Sequence, residues 1–219
     1  MNTSQQVTPT PLPSSERMPQ QLVLGTHNRK KRYEMELLLQ PLGITLRSLD
    51  DFESPLHVEE PGDSFLENAT LKAVEQAQHL GQWVIGEDSG LCVPYLGGRP
   101  GVHSARYSGP NATDEQNNAK LLTELGTAAG QQRRAYYVST LVLASPSGQV
   151  HAVAEGKCWG TILSEPRGSF GFGYDPLFEI SEYHRTFAEL GDAVKSVLSH
   201  RARAMERFRQ ALSALNVSS

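Results

Sequence analysis

VIGEDSGL (residues 84–91) decides how this chain is read. Val84, Ile85 and Gly86 look like the end of a buried strand, because a short apolar run bounded by turn residues is what a covered strand leaves in sequence. Glu87 and Asp88 follow at once, and Ser89–Gly90 reads as a turn. Carboxylates are costly to bury without partners. A core strand that ends on two of them calls for a lysine, an arginine or a metal ion nearby.

Working outward, QWVIG is preceded by a helix that Ser64 opens and Gly81 closes, with Glu67 completing a capping box. Leu66, Ala69, Ala73, Ala77 and Leu80 recur at helical spacing and predict a core-facing stripe. Further upstream, QLVLG (21–25) reads as a first strand and THNRKK as a polar turn. A helix then runs to about Gln40, closed by Pro41 and Gly43, and ITLRSL reads as a second strand. Downstream, Thr113 and Gln116 form another capping box for a helix reaching Leu125. RAYYVSTLVLA and QVHAVAEGKC flank the turn SPSG and predict a β-hairpin. The Gly-rich loop EPRGSFGFGYDP leads to a short strand around Leu177–Glu179. A last helix from about Ser199 carries Met205, Phe208, Leu212 and Leu215 as its apolar stripe, with Arg201, Arg203, Arg207 and Arg209 around it. Strand–helix alternation early and a hairpin later predict an α/β protein with a mixed central β-sheet and flanking helices.

At 219 residues, 38% hydrophobic and 20% charged, the chain has the makings of a soluble domain with a real core. Its formal net charge of −4 gives no field that would draw nucleic acid or an anionic membrane. No apolar run is long enough to span a bilayer, and the N-terminus lacks a signal-peptide pattern. Cys92 and Cys158 form neither a metal spacing nor a disulfide framework and read as free thiols of a reducing cytoplasm. Residues 1–20, rich in Ser, Thr, Gln and Pro, are expected to be a disordered tail ahead of a single domain over 21–219.

The first strand–turn–helix is where an α/β protein holds phosphate on helix N–H groups. Thr26, His27 and Asn28 supply polar side chains there, and Arg29, Lys30 and Lys31 supply charge. Cations are disfavoured at a helix N-terminus unless an anion is present, so the basic first turn points to a phosphate site. Glu87 and Asp88 are placed beyond a strand's carboxyl end, where such sheets bind ligands. Mg²⁺ takes oxygen ligands and bridges carboxylates to substrate phosphates, and Glu59 or Glu60 would add a further carboxylate. Taken alone, Glu59 and Glu60 read as solvated loop charges. Glu67 is explained by its cap, whereas Lys72 reads either as a surface lysine or as a partner for the acids. In GSFGFGYDP, glycines at 168, 171 and 173 alternate with Phe170, Phe172 and Tyr174, which reads as a base-stacking loop or as a turn with core aromatics. KSVLSHRARA puts Lys195, His200 and Arg201 near a helix start, a set that suits an anion or a keto-bearing base.

GTHNRKK, EEPGDSFLENATLKA, EDSGL, LGGRPGVHSARYSG, GSFGFGYDP and KSVLSHR, in that order over about residues 21–213, together resemble the inosine/xanthosine triphosphate pyrophosphatases, the Ham1 or RdgB family. The resemblance implies an elongated two-lobed α/β fold with a central cleft in a cytoplasmic, Mg²⁺-dependent homodimer. It implies hydrolysis of ITP, dITP and XTP to the monophosphate and pyrophosphate, which cleanses the nucleotide pool. Carried over, Thr26, Asn28 and Lys31 would hold the triphosphate. Asp88 would be general base and metal contact beside Glu87, with Ser89 on the substrate. Glu59 or Glu60 would help bind Mg²⁺, and Lys72 would stand in the same cleft. Phe172 would stack on the base, framed by Gly173, Tyr174 and Asp175, while Lys195, His200 and Arg201 would read its 6-keto oxygen. Beside a metal ion, Asp88 should have a lowered pKa. Three positions depart from the family pattern: His27 and Phe170 stand where small residues are usual, and Glu87 stands where many bacterial members carry aspartate. A nucleotide-sensing module is disfavoured by Asp88 together with Lys31 and Lys72. The related Maf-type pyrophosphatases are disfavoured by FGYD and SHR, and RNA binding by the net acidic charge.

Overall fold

The computed structural model describes residues 20–40 and 43–217, with side chains to residue 213. The expected tail (apart from Gln20), Pro41 and the Leu215 side chain lie outside the described residues. In chain order the elements are β1 (Gln21–Leu24), α1 (Arg29–Leu39), β2 (Thr45–Ser48), α2 (Phe65–Leu80) and β3 (Val84–Cys92). They continue with α3 (Asp114–Leu125), β4 (Arg134–Ala144), β5 (Val150–Ile162), β6 (Phe178–Ile180), β7 (Arg185–Thr186), α4 (Phe187–Leu198) and α5 (His200–Val217). One seven-stranded sheet has the order β2-β1-β3-β4-β5-β6-β7. Its first three strands are parallel, and every later pairing is antiparallel. The α/β class with a mixed sheet is therefore as expected.

The reading of residues 84–91 needs correction. Ser89–Gly90 is not a turn: β3 runs on to Cys92, and β4 pairs with it throughout, from Val84↔Ala144 to Cys92↔Tyr136. Gly90 serves close packing, because a Cβ there would strike Gly101 O, Ser104 Oγ and the Phe65 ring. Glu87 and Asp88 thus lie in mid-strand rather than past its end. They do lie beyond the parallel partner, since β1 meets β3 only at Val23↔Val84 and Leu24↔Ile85. Where β1 stops, the flank of β3 opens, and the site is built in that opening.

Helices cover both faces. On one, Val23, Val84, Val142 and Ala144 pack under Ala69, Ala73 and Ala77 of α2. Leu66, expected in that stripe, is exposed, so the alanines carry the contact and let α2 ride close to the sheet. On the other face, Leu22, Leu24, Ile85, Leu141 and Leu143 meet Met35 and Leu39 of α1 and Met205, Phe208 and Leu212 of α5. A separate core gathers around Leu91, Leu121, Leu125, Tyr137, Phe178 and Phe187. Each fully buried Leu or Phe contributes about 1.5–3 kcal/mol. Cys92 and Cys158 are free and buried, as expected.

Helix α4 was not expected. Thr186 caps it, with Glu189 closing a capping box. Lys195 therefore belongs to the end of α4, while His200 and Arg201 open α5. Arg201 is also not a solvated member of an arginine face: it is 1% exposed, among the most buried side chains of the chain.

Candidate active site

Side chains alternate across a strand, so adjacent residues of β3 face opposite sides of the sheet. Glu87 points towards α1 and α5. Lys31 Nζ lies 2.8 Å from its Oε2 and Arg201 Nη2 lies 3.1 Å from its Oε1, to which Ser139 Oγ also donates at 3.0 Å. Asp88 points towards α2, where Lys72 Nζ is 3.2 Å from Oδ1 and Asn68 Nδ2 donates to Oδ2 at 3.3 Å. Lys72 also reaches Glu60 at 2.8 Å. The two acids differ electrostatically. Burial opposes the Glu87 charge, but Lys31 and Arg201 outweigh it and hold the carboxyl well below the usual range. For Asp88 burial wins over Lys72 and Lys31, and the carboxyl is raised. The protein's own contribution thus runs opposite to the lowering expected from a neighbouring metal ion. Burial likewise opposes the Lys72 charge, yet Asp88 and Glu60 raise its pKa overall.

Asn28 caps α1, its Oδ1 accepting from the N–H groups of Lys30 (3.0 Å) and Lys31 (3.1 Å), while Thr26 Oγ1 accepts from Asn28 N–H at 3.2 Å. No acid stands in the first turn of this helix to offset its lysines. Across the opening, Asp175 is buried and accepts from Phe172 N–H (2.9 Å) and Lys195 Nζ (2.6 Å), with Tyr137 OH at 3.4 Å. Lys195 Nζ also sits 4.2 Å from the Phe172 ring centre. Gly173 N–H donates to Asp114 at 2.9 Å, and Tyr174 OH donates to the Ser104 carbonyl at 2.8 Å. His200 stacks on Tyr137 at 4.7 Å and 12°. Burial, then Arg201 and Lys195, pushes the His200 pKa well down, so the ring is neutral.

One cavity of about 250 Å³ joins these groups. Thr26, Asn28, Lys31, Glu60, Lys72, Asp88 and Ser89 line it together with Phe172, Gly173, Tyr174, Asp175, Lys195, His200 and Arg201. Other expected residues stand elsewhere. His27 is half exposed beside Asp50, Arg29 is exposed, and Lys30 reaches out to Asp114 at 3.5 Å. Glu59 is 87% exposed next to His57, so Glu60 is the member of that pair that enters the cavity. Glu87 lies behind the wall, holding Lys31 and Arg201.

Among the described residues no group of three or more His, Cys, Asp or Glu side chains forms a ready-made metal cage. Asp88 and Glu60 nevertheless converge on one cation, the Lys72 ammonium. Mg²⁺ is usually held by one or two carboxylates plus substrate phosphates. The donor set fits such an ion when a phosphorylated ligand completes it.

The Ham1 family model matches residues 22–211. The chain belongs to the Ham1 family. It is 49% identical over 187 residues to the dITP/XTP pyrophosphatase of Rhodopirellula baltica, covering 85% of this chain and 90% of that one. Its identity to the dITP/XTP pyrophosphatase of Geobacter sulfurreducens is 48% over 184 residues, 84% of this chain and 92% of the relative. The solved structure of a Ham1 protein from Coxiella burnetii is similar with a TM-score of 0.80 at 37% identity, over 89% of this chain and 98% of that one. For the Staphylococcus aureus Ham1 protein the TM-score is 0.79 at 34% identity, with the same coverage.

In this Ham1 chain the sequence reading passed over Glu34. From α1 it binds Lys195 at 2.8 Å and forms an ion pair with Arg201 Nη1, so one carboxylate orients two cations of the cavity. Its signal was periodicity: Met35 and Leu39 are the buried stripe of α1, Lys31 precedes Met35 by one turn, and Glu34 stands three residues after Lys31. Asp114, which the sequence reading did not single out, holds both Gly173 and Lys30.

Proposed function

We propose that this chain hydrolyses non-canonical purine nucleoside triphosphates (ITP, dITP, XTP) to the monophosphate and pyrophosphate, with Asp88 as general base. The observation that carries this reading is the single cavity. It sets an acid–cation cluster, Asp88–Lys72–Glu60, in the same space as an aromatic ring and buried donors. Membership in a family whose relatives are named dITP/XTP pyrophosphatases supports it.

In this reading Thr26, Asn28, Lys31 and the N–H groups of α1 hold the triphosphate. A water attacks the α-phosphorus, gives its proton to Asp88, and pyrophosphate leaves as the bridging P–O bond breaks. The raised pKa of Asp88 makes it a stronger base than an ordinary carboxylate. Lys72 holds Asp88 in place and balances charge that grows on the phosphate. Asp88 and Glu60 would hold Mg²⁺, which supplies neutralisation of the phosphates and acidification of water when bound. Phe172 stacks on the base. His200 and Arg201 line the cavity, and their buried Nδ1 and Nε atoms have no hydrogen-bond partner among the described residues. An acceptor such as a 6-keto purine presents would satisfy an unpaired N–H here, whereas an exocyclic amine would not. The homodimer and the cytoplasmic setting belong to this same reading. No helix among the described residues is long and apolar enough to cross a membrane.

Pyrophosphate release from ITP, XTP, GTP and ATP with Mg²⁺, measured for wild type and Asp88→Asn, tests the proposal. Fast release from ITP and XTP, lost by about 10²-fold or more in the variant, is the expected result. Tight binding of ITP and XTP without cleavage would instead mean a nucleotide sensor. Turnover of a pyrimidine triphosphate would overturn the base assignment.

A further inference from the structure

The cations of the cavity are already spoken for. Lys31 is paired with Glu87, Lys72 with Glu60 and Asp88, Lys195 with Glu34 and Asp175, and Arg201 with Glu34 and Glu87. Adding the Lys30–Asp114 pair at the rim, five cations face six carboxylates. Such a cluster offers a polyphosphate no surplus positive charge. One lining cation stands outside the ledger: among the described residues Arg106 lines the cavity and has no carboxylate partner.

Its setting argues against an idle surface arginine. Arg106 ends the short helical turn Gly101–Arg106 that packs on Gly90 of β3, two residues past Asp88. The backbone around it is pinned. The Ser104 carbonyl accepts from Tyr174 OH (2.8 Å), the Ala105 carbonyl from Asn117 Nδ2 (3.1 Å), and the Tyr107 carbonyl from Lys120 Nζ (2.7 Å). Arg106's own carbonyl accepts from Gly109 N–H at 3.0 Å. A rigid platform thus carries an exposed guanidinium with no local partner, and little ordering cost remains for the backbone when it meets an anion. Guanidinium binds phosphate through paired N–H donors.

We propose that Arg106 is a phosphate-binding residue of this cavity, holding the polyphosphate end of the nucleotide. The assignment deepens the pyrophosphatase reading and rests on it for the substrate, although its test does not require turnover. Calorimetric titration of inorganic tripolyphosphate, with Mg²⁺, into wild type, Arg106→Gln and Arg106→Lys is the direct measurement, with thermal denaturation to show that the exposed substitutions leave the fold intact. Arg106→Gln is expected to weaken tripolyphosphate by about tenfold or more, with Arg106→Lys in between. In steady state the same variant should raise KM for ITP by a similar factor and leave kcat nearly unchanged, as loss of uniform binding does. Equal affinity in wild type and Arg106→Gln, or no binding of tripolyphosphate by wild type, overturns the assignment. Tripolyphosphate bound through Arg106 by a protein that leaves ITP and XTP intact would sink the enzymatic reading while this one stands.

Discussion

Two adjacent carboxylates, one residue apart in sequence, have opposite energetic roles. Glu87 is held charged by Lys31 and Arg201, whereas Asp88 is a carboxylate whose charge the fold disfavours. Removing the Glu87 charge leaves Lys31 without its carboxylate partner and the buried Arg201 with Glu34 alone, at about 3–5 kcal/mol. Asp88 differs: its pKa is raised, so the fold disfavours its charge, and Lys72 keeps Glu60 when that charge is removed, which leaves the change within about 1 kcal/mol. Urea denaturation should therefore find Glu87→Gln badly destabilised and Asp88→Asn near wild type, although the second is the variant expected to be inactive. Equal stabilities would refute the division of labour. His200 gives a pH signature. Its folded pKa is depressed, so below the unfolded value of about 6.5 the unfolded chain takes up a proton that the native ring refuses. Stability from this group is present above about pH 6.5 and is lost as pH falls below it. The denaturation midpoint of wild type should drop between about pH 6.5 and 5, and His200→Gln should flatten that slope. At this scale the sequence was informative about which residues gather, because charged types on an apolar strand stand out. It said nothing of which neighbour each would find, since Glu34 and Arg201 are 167 residues apart.

Elements were legible where local chemistry marks them. The capping boxes at Ser64–Glu67 and Thr113–Gln116 and the SPSG hairpin are all in place. Two elements were hidden by glycine. Ser89–Gly90 resembles a turn but is extended strand, because the glycine answers a tertiary contact with Gly101 and Ser104. Helix α4 has the local start signal TFAE, yet Gly191 inside it sits at φ 75°, which interrupts the helical period that would have revealed it. Gly86 is a third glycine whose reason is packing. It lets α2 lie on β3, and a Cβ there would collide with the Ala69 carbonyl and the Ala73 nitrogen. Gly86→Ala should cost about 3 kcal/mol or more, since backbone rather than a flexible side chain must move. Because Asn68 and Lys72 ride on the same helix face, displacing α2 would also lower activity in whatever protein still folds. A variant with wild-type melting would show that α2 tolerates the shift.

Across the whole molecule, the sheet changes from parallel to antiparallel at β3, and the cavity occupies the place where β1 ends and β3 continues. The capped, basic start of α1 and the Phe172–Asp175 loop meet at the cavity, with Asp114 tying Gly173 of that loop to Lys30 of α1. Fold class could be inferred from strand–helix order, but the position of the opening could not, because it depends on β1 being only four residues long beside a nine-residue β3. That the acids sit in mid-strand has a further consequence. Most enzymes keep their reactive groups on parts that loosen first, so activity fades before the fold does. Here the proposed base is part of the strand that both helical layers clamp. Deuterium should enter the β3 amides that bond to β4 only through global opening, among the slowest in the chain. If so, the concentration of urea that halves turnover, once phosphate-loop contacts are saturated by substrate, should coincide with the one that halves ellipticity. The protein would then carry its own fuse, failing as a catalyst only when it fails as a fold.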